Sequence, residues 1–166
     1  TNNLQAYLKY LQAREYLSKH NIESNALAKK LAEGAIGLDP EYAMAYVALA
    51  RTHMMDFWLD TSKSQEQSLA EATELLQKAI ALDDTYAEAH AQLSHIFTLR
   101  RQNDKALAQA EKAVALNPNS AESHYRLAKA LIFAGRHEEA IPQYKIAIRL
   151  NPIPPSHYMW SIGLSY

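Results

Sequence analysis

A short turn motif, Leu-Asp/Asn-Pro/Asp, recurs four times along this chain and constrains its fold more than any other feature. The last residues of the four copies are Pro40, Asp84, Pro118 and Pro152. The last three are spaced 34 residues apart, whereas Pro40 and Asp84 are 44 residues apart, which is ten more. A period of this size is typical of repeat proteins, in which one small structural unit is copied along the chain.

The residues around each turn repeat as well, and they predict two helices per unit. Alanine precedes each turn end by 12 and by 5 residues, a spacing of two helical turns that places both on one helix face. The two columns are Ala28, Ala72, Ala106, Ala140 and Ala35, Ala79, Ala113, Ala147. A second apolar pattern follows the turn, with Leu49, Leu93 and Leu127 nine residues on. Because one helix pair cannot bury its apolar face alone, we predict an all-α fold, an α-solenoid of stacked antiparallel helix pairs.

Composition and charge fit a globular domain and exclude several classes of protein. Hydrophobic residues make up 48% and charged residues 21% of the 166 residues, and the net charge of −1 gives no reason to expect a nucleic acid or an anionic membrane. The absence of cysteine excludes disulfides and thiolate metal sites, and it suits a cytoplasmic or a bacterial periplasmic location equally. No apolar run approaches the roughly 20 residues that span a bilayer, so we expect no membrane insertion. The opening, TNNLQAYLKY, has neither a signal-peptide pattern nor an initiator methionine, so we expect a fragment of a longer protein.

Residue types used in catalysis are present, but not in the patterns that catalysis or cofactor binding needs. The seven histidines include no His-x-x-x-His pair, so we interpret them as packing residues rather than metal ligands. The four glycines form no phosphate-binding cluster, and no acid, base and nucleophile are grouped. Acidic residues balance the basic ones, whose only pairs are Lys29-Lys30 and Arg100-Arg101. We therefore expect no enzyme, no metal or other cofactor, and no nucleic-acid partner.

The repeat resembles the tetratricopeptide repeat, a family of helix pairs with a period of 34 residues. The best match is residues 121–152, through Leu127-Ala128, Leu131, Gly135, Ala140, Tyr144, Ala147 and Pro152. The resemblance implies a right-handed superhelix of about nine helices in a single domain, residues 1–166. The predicted pairs are residues 4–40, 41–84, 85–118 and 119–152, followed by a terminal helix at 155–166.

Two stretches depart from the repeat. Residues 54–71 carry the ten extra residues, and we expect an extended helix that ends near Asp60. The opening, AYLKYLQAREYLSKHN, is similar to a bacterial subgroup in which such repeats follow a class III adenylate/guanylate cyclase domain or a winged-helix regulator domain. This second resemblance implies a regulatory or signalling role for the chain.

The resemblance also implies that the first helix of each pair lines a concave surface. Eleven residues after each turn end lie Arg51, His95 and Lys129, and fifteen after it lie Met55, Leu99 and Phe133. Tyr125, seven residues after Pro118, continues this stripe, and Arg126 lies beside it. A cationic row beside an apolar row predicts a groove for an acidic or amphipathic protein segment. The row contains no asparagine, so it differs from the Lys/Asn/Arg set with which a chaperone-binding branch of the family holds a terminal carboxylate.

We therefore predict a protein–protein interaction scaffold that binds a peptide in this groove. The alternatives are a regulatory segment of a nucleotide cyclase or transcription regulator, and a self-assembly module. In the last case the terminal helix, with Tyr158 and Trp160 as interface residues, would complete the stack of a neighbouring copy.

Overall fold

A computed structural model describes residues 1–61 and 64–151 of the chain. Within these residues the secondary structure is entirely helical, with no strand. The eight helices are α1 (Leu4–Leu17), α2 (Ile22–Leu38), α3 (Ala43–Leu59), α4 (Gln65–Leu82), α5 (Ala87–Leu99), α6 (Asn103–Leu116), α7 (Ala121–Phe133) and α8 (His137–Leu150). The all-α prediction is confirmed. The ninth helix, predicted at 155–166, lies outside the described residues.

The chain forms two compact units, Thr1–Asp84 and Thr85–Tyr166, which we call unit 1 and unit 2. In unit 1, α1 pairs with α2 and α3 pairs with α4, and the second pair packs on the first through contacts of α3 with α1 and α2. In unit 2, α5 pairs with α6 and α7 with α8, and α7 packs on both α5 and α6. Each unit therefore contains two stacked helix pairs.

The alanines of both columns are buried among the helices. Ala28, Ala35, Ala72, Ala79, Ala106, Ala113, Ala140 and Ala147 are all 0 or 1% exposed. Larger side chains fill the space beside them. In unit 1 the rings of Tyr10 and Tyr42 meet edge to face at 5.4 Å, and in unit 2 the rings of Tyr125 and Tyr144 lie 5.9 Å apart. Buried alanines and aromatic rings therefore make up much of the core of each unit.

The recurring turn ends the second helix of every pair in the same way. The last helical residue is Leu38, Leu82, Leu116 or Leu150, and the Asp or Asn that follows leaves the helical conformation. The side chain six residues after the turn end then binds back to it in two of the repeats. The Tyr46 hydroxyl donates to the Pro40 carbonyl (2.9 Å), and His124 Nε2 lies 2.9 Å from the Pro118 carbonyl oxygen.

The ten extra residues lengthen two helices. α3 has 17 residues and α4 has 18, against 13 and 14 for α5 and α6. α3 ends at Leu59, and Asp60 after it adopts a left-handed conformation (φ 52°), so the helix end predicted near Asp60 is confirmed. The added turn is tied to α2, because the Asn25 side-chain amide donates to Asp56 Oδ1 (2.6 Å).

Candidate functional site

The predicted surface residues occupy the first helices of three pairs. Arg51 and Met55 lie on α3 in unit 1, whereas the other residues of this surface that the structure describes lie in unit 2, on α5 and α7. Tyr158 and Trp160, the predicted interface residues, lie outside the described part of the chain. We call one set of equivalent positions, all half-buried, the first-helix row: Arg51, Met55, His95, Leu99, Lys129 and Phe133.

Tyr125 does not share the exposure of this row. It is 3% exposed and belongs to the core of unit 2, as its contact with the ring of Tyr144 shows. The equivalent positions, Val47 and Ala91, are each 1% exposed. The structure therefore places Tyr125 among the core residues, where its ring supports Arg126, whose guanidinium carbon lies 5.4 Å from the ring centre.

Arg126 is held against its own helix. Its Nε donates to Glu122 Oε1 at 2.7 Å, one helical turn earlier, and both side chains are largely covered. A carboxylate one turn before an arginine stabilises a helix and fixes the arginine side chain. Any acidic group that approached Arg126 would share it with Glu122.

Two cations lie close to one aromatic ring at the end of α7. The Nζ atom of Lys129 lies 5.2 Å from the centre of the Phe133 ring, and the guanidinium carbon of Arg101 lies 4.8 Å from it. Both distances are within the range of cation–π contacts. Burial, and after it the positive charge of Arg126, lowers the pKa of Lys129. This cluster of Arg101, Lys129 and Phe133 is hereafter the α7 cation–aromatic cluster.

Sequence reasoning missed Arg101 as a member of this surface. The residue lies in the turn between α5 and α6 and adopts a left-handed conformation (φ 58°), which only a minority of non-glycine residues do. Its place beside Phe133 depends on that turn, not on a helical spacing. The only signal for Arg101 in the sequence is the Arg100-Arg101 pair, which by itself bears on nucleic-acid binding and not on this surface.

His53, His90 and His124 contribute to the packing of the helix pairs. His53, His90 and His124 are 9, 6 and 6% exposed. His90 Nδ1 lies 2.7 Å from Gln109 Oε1, and His53 Nδ1 lies 2.8 Å from Glu71 Oε2. The interpretation of these three as packing residues is confirmed. Among the described residues, no three His, Asp or Glu side chains are grouped as a metal site requires. None of the helices in this part of the chain combines the length and the apolar composition of a membrane span.

Comparison with known proteins gave a match to one family and to several solved structures. The family model of the tetratricopeptide repeat matches residues 100–164. A search of curated proteins gave no match. Among solved structures, a thermophilic TPR protein from Thermus thermophilus is 22% identical, with a TM-score of 0.80 over 99% of this chain and 82% of that one.

Two further structures show the same fold. MamA is 26% identical, with a TM-score of 0.63 over 87% of this chain and 78% of that one. YrrB, described as a TPR protein with an unusual peptide-binding site, is 20% identical, with a TM-score of 0.58 over 91% of this chain and 74% of that one. The chain therefore has the helical-repeat fold of tetratricopeptide repeat proteins, and its residues 100–164 carry the sequence pattern of that family.

Proposed function

We propose that this chain is an interaction scaffold that binds an acidic or amphipathic protein segment along the first-helix row. The observation that carries the proposal is the exposure of this row. At the equivalent positions of α3, α5 and α7, one cationic or titratable residue and one large apolar residue stay half-buried, four residues apart. Neighbouring positions of the same helices are buried in the cores. A surface that keeps partly exposed apolar residues beside cations is suited to recognition.

The binding would need no chemical step. Within each unit, packed helix pairs hold the residues of the row in place before a partner arrives, which lowers the cost of ordering on association. In unit 1, Arg51 would meet an acidic group and Met55 an apolar side chain of a bound segment. In unit 2, Lys129 would meet an acidic group, and Leu99 and Phe133 would contact apolar side chains. YrrB, which shares the fold, is described as having a peptide-binding site, and this supports a peptide as the kind of partner.

Capture of a partner from a lysate of the source organism tests this proposal. An Arg51→Glu/Lys129→Glu variant is compared with a Lys78→Glu/Lys112→Glu control, which changes the net charge equally but alters exposed lysines of the second helices α4 and α6. We expect the wild type and the control to capture the same protein and the first variant to lose it, with the helical circular dichroism of all three unchanged. Equal capture by both variants would contradict binding on the first-helix row.

Self-association is a second candidate, and one feature of α1 favours it. Leu4, Tyr7, Leu8 and Leu11 form a stripe along that helix and are 65, 43, 43 and 39% exposed. An apolar stripe of this spacing is what a helix presents to another helix. Light scattering at two concentrations would detect association. A Leu8→Gln/Leu11→Gln variant should be monomeric if the stripe is responsible, and a wild type that is monomeric at both concentrations would contradict this candidate.

The regulatory alternative, in which the chain belongs to a nucleotide cyclase or a winged-helix regulator, rests on the resemblance of its opening residues alone. Sequencing the complete gene tests it directly. A cyclase or DNA-binding domain in the same reading frame would support the regulatory role, and a gene without either would contradict it.

A further inference from the structure

The α7 cation–aromatic cluster is held in position by the backbone around it. The side-chain amide of Asn103, at the start of α6, donates to the carbonyl oxygen of Phe133 at 2.9 Å. The backbone N–H of Gln102 donates to the backbone carbonyl oxygen of Phe97 at 2.9 Å and closes the turn before α6. These bonds join the turn that carries Arg101 to the helix end that carries Phe133. The backbone segments that carry the two side chains are therefore held close together.

The charges of the cluster are not compensated by the rest of the described chain. Within residues 1–61 and 64–151, no carboxylate lies within ion-pairing distance of Lys129 or Arg101. Arg101 and Lys129 both lie close to the ring of Phe133. Burial lowers the pKa of the half-buried Lys129, and the positive charge of Arg126 lowers it further. An anion bound beside Lys129 would relieve the repulsion between Lys129 and Arg126.

The guanidinium of Arg101 over the Phe133 ring favours a carboxylate as that anion. When a guanidinium lies over an aromatic ring, its N–H groups point outward around its edge and remain available for a planar, bidentate acceptor. The ammonium group of Lys129 adds a point charge near the same ring. The half-buried ring of Phe133 offers apolar contact to whatever carries the carboxylate.

On the basis of the function proposed above, we propose that Arg101, Lys129 and Phe133 form a carboxylate-recognition point for a protein segment in which Glu or Asp lies next to an apolar side chain. A protein segment is favoured over a nucleic acid for two reasons. The cations converge on one ring and do not run along a backbone of regularly spaced phosphates. The chain as a whole carries a net charge of −1, so it has no excess of the positive charge on which nucleic-acid affinity depends.

A titration followed by two-dimensional ¹H–¹⁵N NMR of the whole chain tests the proposal, because it detects weak binding and locates it. The probes are the tetrapeptide acetyl-Phe-Glu-Glu-Phe-amide, its neutral analogue acetyl-Phe-Gln-Gln-Phe-amide and a single-stranded oligothymidine. We expect the acidic peptide to shift the signals of Arg101, Lys129 and Phe133, and the neutral peptide to bind at least about fivefold more weakly, as expected when charge-assisted hydrogen bonds are lost.

Variants separate this point from the rest of the row. Arg101→Gln and Lys129→Gln should each weaken the acidic peptide about fivefold, Arg101→Lys should weaken it less, and Lys112→Gln on the exposed side of α6 should leave it unchanged. Equal affinity for the two peptides, no shift with the acidic peptide, or tighter binding of the oligothymidine would overturn the proposal. If the lysate partner is still lost on charge reversal at Arg51 and Lys129 while Arg101→Gln changes nothing, the carboxylate point fails and the proposed function stands.

Discussion

Replacing Ala110 by leucine tests how tightly α6 is packed into the core of unit 2. Ala110 lies on α6, is 0% exposed and belongs to the core of unit 2. Leucine has nearly the helix propensity of alanine, so the change adds three carbon atoms to a filled space and little else. Overpacking of this kind costs about 1–3 kcal/mol. We expect about 3 kcal/mol, the upper end, because no exposed surface adjoins the added atoms.

The same helix provides a matched control. Ala108 lies two residues earlier on α6 and is exposed, so Ala108→Leu makes the same chemical change in the same helix without entering the core. We expect Ala108→Leu to change the free energy of unfolding by less than about 0.5 kcal/mol.

Urea denaturation followed by helical circular dichroism measures both variants. With a denaturant slope of about 2 kcal/mol per molar, Ala110→Leu should lower the unfolding midpoint by about 1.5 M relative to Ala108→Leu. Equal midpoints would refute the reasoning, since they would mean that the core of unit 2 accommodates a leucine side chain at position 110 without loss of stability.

Three further predictions concern single residues. Burial, and after it the charge of Lys29, lowers the pKa of His53 from its ordinary 6.5, so the folded state resists protonation and stability is lost as the pH falls from 6.5 through the folded pKa. Between pH 7 and pH 5, the free energy of unfolding should therefore fall less for His53→Phe than for the wild type. An equal fall for both in paired urea titrations would contradict this. Gly135 has a φ of 78°, whereas Gly37, near the end of α2, has open space around its Cβ position. Gly135→Ala should destabilise the fold by about 1 kcal/mol and Gly37→Ala should stabilise it by about 0.5 kcal/mol, with thermal midpoints moving in opposite directions; midpoints that move together would count against the conformational explanation. Pro142 is exposed inside α8, where it cannot donate a helical hydrogen bond, so Pro142→Ala should stabilise the fold by at least about 1 kcal/mol, and a lower thermal midpoint would show that the proline contributes something else.

Much of the fold could be predicted from the sequence because the repeat is local. The spacing of the alanine columns shows directly which residues share a helix face. The residues that end the helices do so through the conformation of their own backbone. Gly135, the glycine of the best-matching repeat, lies in the turn between α7 and α8 and has a φ of 78°. The extension of α3 was visible as an insertion whose apolar half continues a helix.

The candidate site was harder to predict because it depends on side chains brought together by turns. Helical spacing places Tyr125 on the same stripe as Lys129 and Phe133, but it does not show that the tyrosine ring turns inward to meet Tyr144. Helical spacing also cannot identify Arg101, because this residue lies in a turn between two helices and itself adopts the left-handed conformation. A helical offset predicts which residues share a face, not which of them remain accessible.

Site-specific photo-crosslinking is the most direct test of whether partners bind the first-helix row. The photoreactive residue p-benzoylphenylalanine would replace Leu99 on α5 or Phe133 on α7, and in a control it would replace the exposed Ala115 on α6. After irradiation in a lysate of the source organism, we expect the same partner protein to be crosslinked from positions 99 and 133 and not from position 115. A partner crosslinked from position 115 and from neither of the other two would contradict binding on the first-helix row.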